Sequence, residues 1–224
     1  QGFTVDGFFG SSHDEDSYIN KCVWIDGEVE DDVTPLQGFV MRDMLIQNCG
    51  SECLRLKNFV TGAIVTNNNM RNCGVYDYQL DDGEKNGEGI YIGTSINQWT
   101  YGVDECSYNY FSGNTIETNA NECVDIKEGS TGNVVEHNIC SNQLDEESGC
   151  FNSRGDANTF RFNIATACTG AGFRLGGSSG YGHSNNIYGN EIVNAEFGSL
   201  KIMADRQGLI CDNFCEQGEC KVRG

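Results

Sequence analysis

Short segments in which apolar and polar residues alternate recur along the chain. In each segment the first and third residues are apolar and the second and fourth are mostly polar, with Ser153 as an exception. This pattern is typical of a strand with one buried face and one outward face. The six segments are Leu54–Lys57, Ile90–Gly93, Val124–Lys127, Phe151–Arg154, Phe173–Gly176 and Leu200–Met203.

An asparagine motif repeats beside these strands. Two Asn residues five positions apart, followed by Ile, occur four times, and the second Asn falls at Asn114, Asn138, Asn163 and Asn190, with spacings of 24, 25 and 27. Asn68 and Asp43 extend the series upstream. Asparagine tolerates left-handed turns and can hydrogen-bond to the same residue one coil away, so we interpret the motif as maintaining the fold.

A repeat of this length indicates a solenoid. Leucine-rich repeats need several leucines per unit, whereas this chain has nine in total. The sequence therefore predicts an all-β, right-handed parallel β-helix with about 24 to 27 residues per coil.

We expect a single domain over residues 1–224, with an N-terminal cap and first coil (1–37), central coils (38–205) and a Cys-rich C-terminal cap (206–224). The interval of 46 residues from Asn68 to Asn114 predicts one coil carrying two loop excursions, 75–87 and 94–108. Long loops on a rigid scaffold often carry function. Their aromatic residues could contact sugars or could cover the edge of the coils; these are Tyr76, Tyr78, Trp99, Tyr101 and Tyr108.

Twelve cysteines without zinc-site spacing predict a disulfide-stabilised, secreted protein, with Gln1 as a mature N-terminus. Equal spacing in neighbouring coils suggests that Cys49 pairs with Cys73 and Cys123 with Cys150. The net charge of −19 argues against nucleic acid and anionic membrane partners. We also expect a monomer.

Stacked coils place equivalent strand positions about 4.8 Å apart, so columns of residues become neighbours. One outward column reads Lys57, Gly93, Lys127, Arg154, Gly176 and Met203, and the other reads Arg55, Tyr91, Asp125, Asn152, Arg174 and Lys201. Such a locally basic strip would attract an anionic ligand. We expect substrate to contact Arg55, Lys57, Tyr91, Asp125, Asn152, Arg174 and Lys201.

A third column contains Glu52, Glu88 and Glu122. Stacked glutamates repel one another unless a cation or solvent separates them. Because Ca²⁺ takes carboxylate and amide oxygens, we predict a calcium site formed by Glu88, Asn121 and Glu122, with Asp125 nearby. A solvated acidic edge is the alternative.

Lys127 and Arg154 lie beside this predicted site and suggest a reaction. Removing the C5 proton of a uronic acid requires a neutralised carboxylate, a base, and an acid for the leaving oxygen. A lysine whose pKa is lowered by a guanidinium and calcium can act as the base, and arginine or a water can act as the acid. Otherwise both residues are surface charges along a strand.

The run Glu122-Cys-Val-Asp-Ile-Lys127, then Asn133, then Arg154-Gly-Asp-Ala-Asn158 resembles polysaccharide lyase family 6, the chondroitinase B and alginate lyase family of the pectate-lyase-like β-helix superfamily. The resemblance covers roughly residues 86–176. It implies that Glu122 binds calcium, Lys127 is the base and Arg154 is the acid. The sequence departs from the family in its longer separation of Lys127 from Arg154, with residues 143–148 as an insertion, and in Gly155, where the family commonly has His.

These observations predict a secreted lyase that cleaves an acidic, uronic-acid-containing polysaccharide by calcium-assisted β-elimination. A non-catalytic, glycan-binding β-helix remains the alternative. A polygalacturonase-like hydrolase would need two separated carboxylates, and the only candidate pair is Asp81 with Asp82, in a loop.

Overall fold

Three parallel sheets run the length of the computed structural model, because each successive coil adds one strand to each sheet. This arrangement is a parallel β-helix, which confirms the predicted fold class. The structure describes residues 2–29, 32–81, 83, 86–177, 180–216 and 220–224. Gln1 and Asp82, which the sequence singled out, lie outside the described residues.

Sheet I contains β1 (Thr4–Asp6), β6 (Leu45–Gln47), β9 (Asn69–Arg71), β12 (Thr115–Ala120), β15 (Ile139–Gln143), β18 (Ile164–Cys168), β21 (Glu191–Ala195) and β24 (Phe214–Cys215). Sheet II contains β2 (Val23–Asp26), β7 (Leu54–Lys57), β10 (Ile90–Ile92), β13 (Val124–Ile126), β16 (Gly149–Ser153), β19 (Ala171–Leu175), β22 (Gly198–Ile202) and β25 (Val222–Arg223). Sheet III contains β5 (Val40–Arg42), β8 (Ile64–Thr66), β11 (Tyr110–Ser112), β14 (Val134–Glu136), β17 (Thr159–Arg161), β20 (Asn186–Tyr188) and β23 (Ile210–Cys211).

The remaining elements lie outside the three sheets. A small antiparallel pair joins β3 (Glu28–Val29) to β4 (Asp32–Val33). Both loop excursions flank β10: one contains α1 (Val75–Tyr78), and the other contains a 3-10 helix (Ile96–Gln98). A further 3-10 helix spans Glu15–Ser17. Among the described residues, no helix combines the length and the apolar character needed to cross a membrane.

Sheet II has the register that the alternating pattern predicts. Leu54 pairs with Ile90, and the column continues through Val124, Phe151, Phe173 and Leu200. The outward neighbours therefore form a second continuous column from Arg55 through Tyr91, Asp125, Asn152 and Arg174 to Lys201. Residues separated by 22 to 36 positions in sequence become direct neighbours.

The inward side chains fill the centre of the coils. Phe151 and Phe173 stack with ring centroids 5.0 Å apart, and Phe160 of sheet III meets both rings edge-on. All three are almost fully buried. Burial of such a side chain stabilises the fold by about 1.5–3 kcal/mol, so this core fixes the strands that carry the outward columns.

Asparagine ladders connect the coils at two turns. In the first, the side-chain amide of Asn114 donates to Asn138 at 2.9 Å, and the same contact repeats from Asn68 through to Asn213. In the second, Asn109 donates to Asn133 at 3.0 Å. The structural interpretation of the motif is confirmed. The upstream extension is off by one residue, because Met44, not Asp43, occupies the position whose backbone amide donates to Asn68.

The predicted pairs Cys49–Cys73 and Cys123–Cys150 are wrong. The disulfides are Cys22–Cys49, Cys53–Cys73, Cys123–Cys140, Cys150–Cys168 and Cys215–Cys220. The first four each join a cysteine at the start of a sheet II strand to one in or just after the sheet I strand of the next coil. Cysteines in the same column have parallel side chains, whereas the bonded partners come from different sheets and their side chains face one another. Their Cα atoms are 5.5 to 5.7 Å apart.

Candidate functional site

The centre of sheet II places charged side chains together on its outward face. Strand β13 presents Asp125 outward, and Lys127 follows at its end. Strand β16 presents Asn152 beside Asp125, and Arg154 follows in the same way. The alternation of the strands thus brings together Asp125, Asn152, Lys127 and Arg154.

Three carboxylates converge beside these residues. Oxygen atoms of Glu88, Glu122 and Asp125 all lie within 4.8 Å of one another, and all three side chains are buried. Burial raises the pKa of Glu88 to about 8. The attraction of Lys127 opposes this effect, and the neighbouring carboxylates add to it. The pKa of Glu122 is raised by burial and by Asp125. Without a cation, the crowding of three buried carboxylates therefore favours the protonated forms of Glu88 and Glu122.

Asp125 is the centre of the contacts. Its Oδ2 atom pairs with Lys127 Nζ and lies 3.7 Å from a guanidinium nitrogen of Arg154, while Oδ1 accepts a hydrogen bond of 2.7 Å from Asn152. Burial alone would raise the pKa of Asp125, but Lys127 and Arg154 outweigh it and hold the pKa below its ordinary value. Asp125 and Asn152 therefore organise the site from within, at positions the sequence assigned to substrate contact.

The site residues fit a hard cation. Three carboxylates supply several of the six to eight oxygens that Ca²⁺ takes. Asn152 adds a further observation, because its Oδ1 atom is buried and has no hydrogen-bond partner in the described part of the chain. Asn121 was a predicted ligand, and its Oδ1 atom accepts a hydrogen bond of 2.5 Å from Tyr78. The third carboxylate of the group is instead that of Asp125.

The N-terminal end of the same face has a different balance of charge. Glu52 accepts a hydrogen bond of 2.7 Å from Arg55 and pairs with Lys21 at 3.1 Å. Burial would raise the pKa of Glu52, but these two cations outweigh it and lower the pKa. Arg55 in turn lies over the ring of Tyr91, so both predicted contact residues are buried within this network.

The pKa of Lys127 is shifted in the direction opposite to the one that the sequence analysis expects. Burial lowers the pKa of a lysine, but the charge of Asp125 and the Tyr91 side chain outweigh burial and raise the pKa of Lys127 above its ordinary value. The resting site therefore holds Lys127 protonated, where the sequence suggested a lowered pKa. The pKa of Arg154 is also raised, because Asp125 and Glu128 outweigh its burial.

Three predicted contact residues lie at the two ends of sheet II. Lys57 reaches toward the ring of Trp24, with its Nζ 6.0 Å from the centroid. Lys201 donates to the backbone of Glu147 at 2.6 Å, and the Arg174 side chain extends toward Met203. All three remain partly exposed. They flank the buried centre and do not join it.

Two residues near the site were not predicted from the sequence. Glu128 is buried, pairs with Arg154 at 3.5 Å, and has an Oε2 atom without a partner among the described residues. Ser148 donates to Glu122 from the insertion at 143–148. Glu128 follows Lys127 directly, but only the geometry of the turn shows that its side chain points toward Arg154. The insertion that contains Ser148 was recognisable only by its length.

Two of the loop aromatics contact other parts of the protein. Tyr76 donates to the backbone of Tyr18 at 2.8 Å and therefore covers the edge of the coils. Trp99 meets Tyr181 edge-on at 6.0 Å, which links the loops after β10 and β19 beside the site. Asp81 is exposed in its loop.

Comparison with known proteins finds similarity in structure only. No protein-family description matches the sequence, and no curated protein matches it. The chain is similar to a solved structure titled as the crystal structure of an alginate lyase from Paenibacillus sp. str. FPU-7, with a TM-score of 0.69 and 18% identity over 99% of this chain and 78% of that chain. At this level of identity the likeness supports the β-helix fold.

Proposed function

We propose that this protein is a polysaccharide lyase that cleaves a uronic-acid-containing polysaccharide by calcium-assisted β-elimination. The observation that carries the proposal is the buried cluster of Glu88, Glu122 and Asp125 in contact with Lys127 and Arg154. The alginate lyase of similar fold adds support at the level of architecture.

The substrate class follows from charge. Lys57 lies toward one end of sheet II, and Arg174 and Lys201 lie toward the other. Partly exposed cations on both sides of the centre suit a polymer with repeated carboxylates. Alginate, chondroitin, pectate and glucuronan all meet this description.

The metal would be held by Glu88, Glu122 and Asp125. When bound, calcium supplies positive charge that neutralises the carboxylate of the sugar and so acidifies its C5 proton. The remaining chemistry belongs to side chains of this protein.

Lys127 is the proposed base. Its Nζ atom accepts the C5 proton, the electrons of the C5–H bond form the C4–C5 double bond, and the C4–O glycosidic bond breaks. Arg154, or a water that it orients, donates a proton to the departing oxygen. Because Lys127 is protonated at rest, it must first release its proton to solvent, and we expect the rate to rise into the alkaline range.

Location and assembly are also proposals. Disulfides form and persist in oxidising compartments, so the five disulfides support a secreted protein. The monomeric state stays a prediction.

The proposal is tested by incubating the protein with each of the four polymers, with calcium and with a chelator. We expect ultraviolet-absorbing unsaturated uronides from at least one polymer, and less product after chelation. Binding of a polymer without product from any of them would favour the non-catalytic, glycan-binding alternative.

A further inference from the structure

Tyr91 occupies the outward column between Arg55 and Asp125. The sequence suggested that its ring contacts substrate. Only 5% of the residue is exposed, however, which leaves too little surface for a sugar to stack on. The ring must act on its protein neighbours.

Two cations contact this one ring. The guanidinium carbon of Arg55 lies 3.6 Å from the ring centroid, and Lys127 Nζ lies 4.0 Å from it. An aromatic face attracts cations through its quadrupole, and the attraction grows when water is excluded. Arg55 and Lys127 are both buried, so both contacts belong to the stronger class.

The ring is anchored on the side away from the carboxylate cluster. Arg55 is held by Glu52 at 2.7 Å, and Glu52 is held by Lys21 at 3.1 Å. On the other side Lys127 pairs with Asp125 and lies 3.8 Å from Glu88. Those carboxylates would draw the amine toward the cluster, while the ring offers it a fixed contact above the strand.

We propose that Tyr91 is a positioning residue that holds Lys127 Nζ at the place from which it removes the substrate proton. This inference rests on the proposed function, in which Lys127 is the base. It reassigns Tyr91 from substrate binding to support of the base. The phenol ring, not its hydroxyl, carries the role.

The kinetic test compares Tyr91→Met, which fills similar space without a ring, with Tyr91→Phe, which keeps the ring. We expect Tyr91→Met to lower kcat by between ~10-fold and ~100-fold with KM unchanged, because the base loses its position. Tyr91→Phe should retain most of the wild-type kcat. A raised KM with unchanged kcat in Tyr91→Met would instead make Tyr91 a substrate contact and overturn the proposal.

A second measurement does not depend on activity. In protein with labelled lysine side chains, the ring current of Tyr91 should shift the Lys127 side-chain resonance, whereas Lys57 and Lys201 lie over other rings and should not respond to changes at Tyr91. The shift should persist in Tyr91→Phe and disappear in Tyr91→Met and, as a second non-aromatic variant, in Tyr91→Leu. If it is absent from wild type, the contact does not exist and the proposal fails.

The two measurements separate the two hypotheses. A wild-type protein that cleaves none of the four polymers would overturn the proposed function, and the Lys127 resonance would still decide whether Tyr91 holds the amine. An active wild type whose Tyr91→Met variant keeps the same kcat would overturn the role of Tyr91 alone. Each variant is assayed below its own melting temperature, so a loss of folding is not read as a loss of positioning.

Discussion

Glu52 and Glu88 stand in the same column of the β-helix, yet their surroundings give them opposite properties. Glu52 is paired with Arg55 and Lys21, and its pKa is lowered. Glu88 shares Lys127 with two other carboxylates, and its pKa is raised to about 8. The position in the column therefore does not decide the ionisation of a glutamate; the cations around it do.

The two parts of the column also differ in how their buried charges are paired. In the balanced N-terminal part, each buried ion has a partner, so removing one leaves an uncompensated charge and costs stability. In the crowded central part, a divalent cation would complete the balance.

Lys127→Ala removes the proposed base from the crowded part. Loss of a positioned base lowers rates by about 10²- to 10⁴-fold, and we expect a loss of this size in the initial rate of unsaturated uronide release. Lys221→Ala, at an exposed lysine before the last strand, serves as the control and should retain the wild-type rate. Equal rates in both variants would remove Lys127 from the mechanism.

Glu88 should make the metal-free protein less stable as pH rises. Its folded pKa of about 8 lies above the ordinary value of 4.5, so the stability it contributes is present below pH 4.5 and is lost as pH rises through 8. We expect the melting temperature in chelator to fall across this range, and Glu88→Gln to flatten the fall. The pKa of Asp125 is lowered in the folded protein, so the stability that Asp125 contributes is lost only at acidic pH.

The dependence of the melting temperature on pH should also change when calcium is added. Because a protonated carboxylate is a poor ligand, the rise in melting temperature on adding calcium should be larger above pH 8 than at pH 6. A calcium effect independent of pH would mean that Glu88 is not a ligand.

Asn152→Ala should have a smaller effect. It removes the 2.7 Å hydrogen bond to Asp125 and leaves a buried carboxylate with fewer donors, at a cost of about 1–3 kcal/mol in the free energy of unfolding. Chemical denaturation measures this change. Asn186→Ala, at a partly buried asparagine of sheet III, is the control and should cost less.

The sequence predicts the columns well because a parallel β-helix converts constant spacing into spatial contact. Glu88, Glu122, Lys127 and Arg154 could be placed together from alternation and period alone. The same reasoning failed for Cys123 and Cys150, because equal spacing shows which residues are neighbours but not which side chains face one another. Asp125 was placed near the predicted calcium site, and Asp125 and Asn152 among the substrate contacts. Their burial and their contact with each other were not predicted, because burial and hydrogen bonding depend on the surrounding turns and on the insertion.

The contrast between Glu52 and the central carboxylates, of which Glu122 is one, is tested most directly by calorimetric titration of calcium into wild type, Glu52→Gln and Glu122→Gln. We predict one site in wild type, the same site in Glu52→Gln, and no measurable binding in Glu122→Gln. Wild-type affinity in Glu122→Gln, or no binding heat in wild type, would contradict the account of a metal site in the crowded part of the column.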